Sequence, residues 1–260
     1  MRPFRRGPSP IVGDYSDYSD AKIDLISRFS SGLIQGKQKV AYCSYCERVI
    51  NTGLAVEHIQ PKKGKYSHPM LIGRWDNFLL ACVNCNSAKG SKRVLFDYLL
   101  FPDRDNTFKA FVYKADGKIY INKSNNVVMQ SLAINTLKLT GLDKTSKETT
   151  DENGNLIAQD RINQRMEVWG IADLQLNIYL KHKHKHNKDI HEMIVMLMVT
   201  TGFFSVWMTV FAEHDEMKKI FIDSISGTRL SGCFDITNNS CIQPHDNSDR
   251  LDTGRFSIYK

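Results

Sequence analysis

The sequence predicts an α+β protein, in which a small strand, strand, helix core closed by a four-cysteine zinc site is embedded in a mainly α-helical chain. Three observations lead there. Two Cys-x-x-Cys turns, Cys43/Cys46 and Cys82/Cys85, bracket a short segment. Within it, residues 54–59 and 77–80 are aliphatic runs of strand length, followed by a helical start near Asn86. From about residue 126 the composition turns helical.

Residues 1–10 carry three arginines and three prolines without a helical period, so an extended basic arm is expected, lying on phosphate, on a partner or free in solvent. The Asp-Tyr-Ser repeat of residues 14–20 offers capping side chains, and Ile23, Ile26 and Phe29 recur at helical spacing over residues 21–29. Residues 30–39 contain two glycines and no period, which reads as a loop leading to the first cysteine pair.

A Cys-x-x-Cys turn lets two thiolates reach one ion, and two such turns complete a tetrahedral shell with no position open for chemistry. Cys43, Cys46, Cys82 and Cys85 are therefore expected to hold a structural zinc, in preference to disulfides or a redox pair. The remaining Cys233 and Cys241 read as ordinary core or surface thiols. The chain shows no charged start followed by an apolar run and a small-residue cleavage site, so a reducing cytoplasm is the expected compartment.

Between the cysteine pairs, residues 54–59 form a strand ended by Pro61, and its end delivers Glu57 and His58 side by side. Neighbouring side chains on a strand point to opposite faces, so a bend or bulge is expected there. The second strand, around residues 77–80, pairs with the first. Asn86 then opens a helix running through Lys89.

Past this core, residues 94–101 are apolar and suit either helix or strand. Residues 102–107 break the run, and Asp103, Arg104 and Asp105 read as turn residues within reach of the site. Residues 108–114 and 118–122 alternate around Ala115-Asp116-Gly117, a hairpin signal. A helix over 127–142, a polar connection over 143–155 and a long amphipathic helix over 156–180 follow. The Lys/His tract of residues 181–188 reads as a solvated cationic loop or a nucleic-acid contact. Residues 193–212 carry no charge, and they are expected to form a buried helical pair broken near Gly202, or a surface covered by another chain, rather than a membrane span. Residues 213–260 bring turn signals and no catalytic motif. Two regions are expected: residues 1–125 with the core and hairpin, and residues 126–260, mainly helical and suited to partner docking.

The order Glu57-His58, Asn77, Asn86, bracketed by the two cysteine pairs, resembles the HNH endonucleases with their ββα-metal fold. The resemblance implies that His58 is the general base that activates water against a phosphodiester. It implies that Glu57 and Asn86 hold Mg²⁺ or Mn²⁺, and that Asn77 fixes the loop orienting His58. An imidazole near its ordinary pKa suits the first task, and hard oxygen ligands suit the second. Lys62 and Lys89 are weaker candidates for contact with nucleic acid. Four runs outside the core, Arg2-Pro-Phe-Arg-Arg-Gly-Pro8, residues 102–107, residues 139–143 and residues 202–208, resemble the HNH component of Septu-type bacterial anti-phage systems, also found as an effector in some retron systems. That implies an ATPase subunit as partner and, in a retron, a reverse transcriptase with its RNA–DNA product.

A formal charge of +7 and a pI near 9.0 suit a polyanionic partner. The expected activity is phosphodiester hydrolysis in nucleic acid, with DNA favoured and RNA open. A zinc-stabilised nucleic-acid-binding module without catalysis is the rival, and dependence on a divalent cation separates the two.

Overall fold

The protein is seen in a computed structural model that describes residues 1–34, 37–144, 161–182, 188–244 and 249–251. A helical entry comes first: a 3-10 turn at Tyr18–Ala21, α1 at Lys22–Leu25 and a π turn at Ile26–Ser30. Asp17 caps it by accepting from the Ser19 amide at 2.8 Å. The buried stripe is Ala21, Leu25 and Phe29, spaced four apart, while Ile23 is 78% exposed. The apolar stripe expected through Ile23 is thus shifted around the helix.

Residues 30–39 are not a loop. The strands β1 (Ser31–Ile34) and β2 (Lys37–Ala41) pair antiparallel. The Ser30 carbonyl and hydroxyl both accept from the Tyr42 amide, closing the strand ends. A Cβ on Gly32 would lie 2.2 Å from the Tyr42 hydroxyl and 2.5 Å from the Val199 side chain. Only glycine admits that approach, and it is a long-range contact that no local period announces.

The strands β3 (Ala55–His58) and β4 (Phe78–Ala81) form the central hairpin, with Glu57 opposite Leu79 and His58 opposite Phe78. Their register is unbroken, so the expected bulge at Glu57 and His58 is absent. The helix α2 (Val83–Lys89) starts directly after Cys82 and stops at Gly90. Asn86 therefore sits mid-helix rather than opening it, because the second cysteine pair itself forms the first turn.

Residues 94–101 adopt only a 3-10 turn, Phe96–Tyr98. The hairpin at 108–122 begins later than expected, because Asn106 caps a short helix, α3 (Thr107–Ala110), by accepting from the Lys109 amide at 3.0 Å. The strands β5 (Phe111–Tyr113) and β6 (Ile119–Ile121) then pair. Four longer or buried helices follow, α4 (Val127–Thr140), α5 (Arg161–His182), α6 (Lys188–Thr201) and α7 (Phe204–Val210), and then α8 (Asp215–Ser224). The break between α6 and α7 falls at Gly202 and Phe203, both with positive φ. A Cβ on Gly202 would lie 2.7 Å from the Glu47 carbonyl, so the helix pair breaks where it meets the first cysteine turn. Among the described residues no helix is long and apolar enough to cross a membrane. The expected connection at 145–155, the helix start at 156–160 and the middle of the Lys/His tract at 183–187 lie outside the described residues.

The N-terminal arm forms no helix or strand, and it is not a surface arm. Arg2 and Arg6 are buried, and Phe4 stacks on Phe29 with ring centroids 4.1 Å apart. Arg2 donates to the Phe29 carbonyl at 2.5 Å and to the Thr228 hydroxyl at 2.6 Å. Arg6 donates to the Phe78 carbonyl at 2.7 Å and pairs with Asp103 at 3.2 Å, with both side chains fully buried. Asp103 and Arg104 lie in a turn, as their composition suggests, but it is buried in this interior network. Burial alone would raise the Asp103 carboxyl, but the guanidinium groups of Arg104 and Arg6 hold it below its ordinary value. Arg6→Ala is expected to destabilise the chain by about 3 kcal/mol, measured by urea unfolding, because it leaves buried partners short of a charge. One hydrophobic cluster runs from Met1 to Leu251, drawing on residues from both sides of the 125/126 division.

Candidate active site and metal centre

The first cysteine pair is a tight turn fastened to the central hairpin. The Glu47 amide donates to the Cys43 carbonyl at 2.9 Å, and the Ser44 amide to the Leu80 carbonyl at 2.8 Å. The second pair sits at the start of α2. The four sulfur atoms lie within 4.8 Å of one another, and those of Cys46 and Cys82 are 3.8 Å apart. Tetrahedral zinc with Zn–S bonds of about 2.3 Å spaces its sulfurs by about 3.8 Å. A disulfide requires about 2.05 Å. The cluster therefore has the geometry of a closed, structural zinc site.

Two supports of this centre carry no local sequence signal. Arg161, at the start of α5, donates from Nη1 to the Cys85 sulfur at 3.2 Å and also bonds the Gly141 carbonyl, setting a positive charge beside the thiolates. Glu47 accepts from the Ser205 amide at 2.9 Å and from its hydroxyl at 2.6 Å, which fastens the cysteine turn to α7.

The same hairpin and helix wall a cavity of about 250 Å³, lined among others by Glu57, His58, Lys62, Asn86, Lys89 and Ser91. The buried Glu57 carboxylate meets the Lys89 ammonium at 2.8 Å and the Tyr45 hydroxyl at 3.3 Å. Burial pushes its carboxyl up, opposed by Lys89 and Tyr45. Lys89, a candidate for contact with nucleic acid, is only 1% exposed and also donates to the His58 carbonyl at 2.7 Å. Its charge is turned inward, onto the strand that carries Glu57 and His58. Lys62 remains half-buried, with its ammonium 3.6 Å from the centre of the Tyr18 ring.

His58 is held on three sides. Its Nε2 lies 2.9 Å from the Ile72 carbonyl, and its ring meets Tyr18 and Phe78 edge-on, at 4.8 and 5.2 Å. A carbonyl can only accept, so Nε2 carries the proton and Nδ1 keeps its lone pair. Burial lowers the imidazole to about 4; the Ile72 bond opposes this, and the charges of Lys62 and Lys89 add to it. That departs from the near-ordinary value expected of it.

An unfolded chain binds a proton at His58 from pH about 6.5 downward, whereas the folded one resists until about 4, so His58 costs stability progressively as pH falls through that window. Expected in urea unfolding is a wild-type midpoint that drops, relative to His58→Gln, between pH 7 and 4; parallel curves would contradict it.

Asn77 is fully buried beneath the cavity rather than on its wall. Its Oδ1 accepts from the Gln60 amide at 2.7 Å, and its Nδ2 donates to the carbonyls of Gln60 at 3.2 Å and Leu71 at 2.9 Å. It thus ties the end of β3 to the segment whose next carbonyl holds His58. Tyr18, Tyr45 and Ile72 complete the surroundings of the site, and none has a local signature.

Residues 43–92 match the family model described as HNH endonuclease. A Vibrio cholerae serotype O1 biovar El Tor protein named "Retron Vc95 putative HNH endonuclease" is 27% identical over 145 residues, covering 54% of this chain and 68% of the relative. No solved structure gave a significant match.

Proposed function

We propose that the chain hydrolyses phosphodiester bonds of nucleic acid, with DNA favoured and RNA open; the match of residues 43–92 to the HNH endonuclease model supports this reading. The observation that carries this reading is the bond from His58 Nε2 to the Ile72 carbonyl, in a cavity that also holds Glu57 and Asn86.

His58 is the general base. At neutral pH its ring is uncharged, and Nδ1 is the nitrogen free to take a proton from the attacking water. The Ile72 carbonyl keeps that tautomer and stabilises the imidazolium as it forms. Asn77 positions the Ile72 segment from below. Glu57 and Asn86 bring a carboxylate and an amide oxygen to one cavity, a hard donor pair that fits Mg²⁺ or Mn²⁺. When bound there, the cation supplies Lewis-acid stabilisation of phosphoryl charge. Lys89 keeps the buried Glu57 carboxylate ionised and oriented, and Lys62, nearer the opening, is placed to meet phosphate.

The retron relative supports a role as the cutting subunit of a bacterial anti-phage system. In that role the chain acts with an ATPase subunit and, in a retron, with a reverse transcriptase and its RNA–DNA product. The test is cleavage of plasmid DNA and total RNA in Mg²⁺ or EDTA, with and without the ATPase subunit. Cutting in Mg²⁺ alone is expected. Binding without conversion under every metal would favour the binding-module alternative.

A further inference from the structure

A second cavity, of about 490 Å³, opens beside the first, lined by Gln60, Tyr66, Arg93, Phe96 and Tyr98 among others. No residue lines both cavities, but the same two segments wall them: residues 61–63 and 89–91 line the first, and residues 65–68 and 93–98 line the second. The segments pack closely between them, where a Cβ on Gly64 would lie 2.9 Å from the Ser91 side chain. Nothing in the proposed hydrolysis uses the second one.

Its floor holds an unmatched acceptor. Gln60 is only 6% exposed; its Nε2 donates to the Val94 carbonyl at 3.3 Å, but among the described residues its Oε1 meets no donor. A buried amide oxygen without a donor is costly, and a ligand N–H entering the cavity relieves it. Around the rim, Tyr66 is 38% exposed and Tyr98 60% exposed. The Lys65 ammonium and the Arg93 guanidinium stand 5.7 and 5.9 Å from the Tyr66 ring centre.

We propose that this cavity takes an unpaired nucleobase next to the scissile phosphate, so that the substrate is single-stranded or locally melted nucleic acid. The inference rests on the nuclease reading above and goes one step further. A polynucleotide with a phosphate at His58 presents a neighbouring nucleotide to the adjoining cavity. The base stacks on a tyrosine, its N–H groups face Gln60 Oε1, and Lys65 and Arg93 meet the flanking phosphates. A base still paired in a duplex cannot offer its face or its Watson–Crick edge in this way.

The test measures binding of full-length His58→Ala protein in Mg²⁺ to labelled single-stranded DNA, single-stranded RNA, a hairpin with an open loop and a blunt duplex. Unpaired ligands are expected to bind at least about tenfold tighter than duplex, a typical size for one base stacked on an aromatic ring. Comparing the DNA and RNA strands identifies which polymer is preferred. Adding Gln60→Met or Tyr66→Ala should erase most of that preference and leave duplex binding within about twofold; Tyr66 is exposed, so its loss does not threaten the fold. Equal affinity for paired and unpaired ligands, or variants that weaken both alike, overturns the cavity's role. Mg²⁺-dependent cutting by wild-type protein in that case leaves the nuclease reading standing. Failure to bind or cut any of the four ligands sinks both.

Discussion

His58→Ala is expected to slow single-turnover cleavage by about 10²- to 10⁴-fold, the usual contribution of a positioned general base. The ring touches Tyr18, Phe78 and the Ile72 carbonyl, so its removal also opens a small cavity, and the rate must be compared in protein shown to be folded. His58→Gln separates the two effects. A glutamine amide can still donate to Ile72 but accepts no proton at neutral pH, so it should restore stability toward wild type without restoring the rate. A glutamine variant that cuts at the wild-type rate would remove His58 from the base role.

The second large effect is on folding. Cys46→Ser, or chelation of the native chain, is expected to remove bound zinc and abolish the cooperative unfolding transition of the region around it. In zinc-finger peptides the ion contributes apparent free energies of about 10–16 kcal/mol, more than a typical domain's whole net stability. Here the damage should spread, because Arg161 joins the sulfur cluster to α5 and Glu47 joins the cysteine turn to α7. Cys233, buried away from the cluster, is the control: Cys233→Ser should keep the full zinc content. Unchanged zinc and unchanged melting in Cys46→Ser would contradict the assignment.

Much of the site could be read before the structure, because its chemistry is written in short spacings. The two Cys-x-x-Cys turns, the adjacent Glu57 and His58, and the strand-ending Pro61 each depend on a few neighbouring residues. What escaped depends on distance in sequence. Ile72 acts through its backbone carbonyl, which no side-chain pattern marks, and Arg161 reaches Cys85 across 76 positions. Gly32 reads as a loop residue until Tyr42 and Val199 close against it. The arm at residues 1–10 misled for a related reason. Arginines usually face water, but Arg2 and Arg6 lie where backbone carbonyls and Asp103 satisfy their donors, so burial is favourable only in the assembled chain. The sequence places the start of α2 about a turn too late because Cys82 already holds its N-cap position, and the strand expected from residue 108 begins at Phe111 because Asn106 caps the short helix α3.

A Mg²⁺ titration of the single-turnover cleavage rate decides whether Glu57, His58 and Asn86 form one divalent-cation-dependent hydrolytic site. Wild-type protein should show no cutting in EDTA and a rate that rises to saturation with Mg²⁺. Asn86→Ala and Glu57→Gln should need more Mg²⁺ for half the maximal rate, while His58→Gln should keep the wild-type midpoint at a rate lower by about 10²-fold or more. Full-rate cutting in EDTA, or an Asn86→Ala curve that overlays wild type, would contradict it.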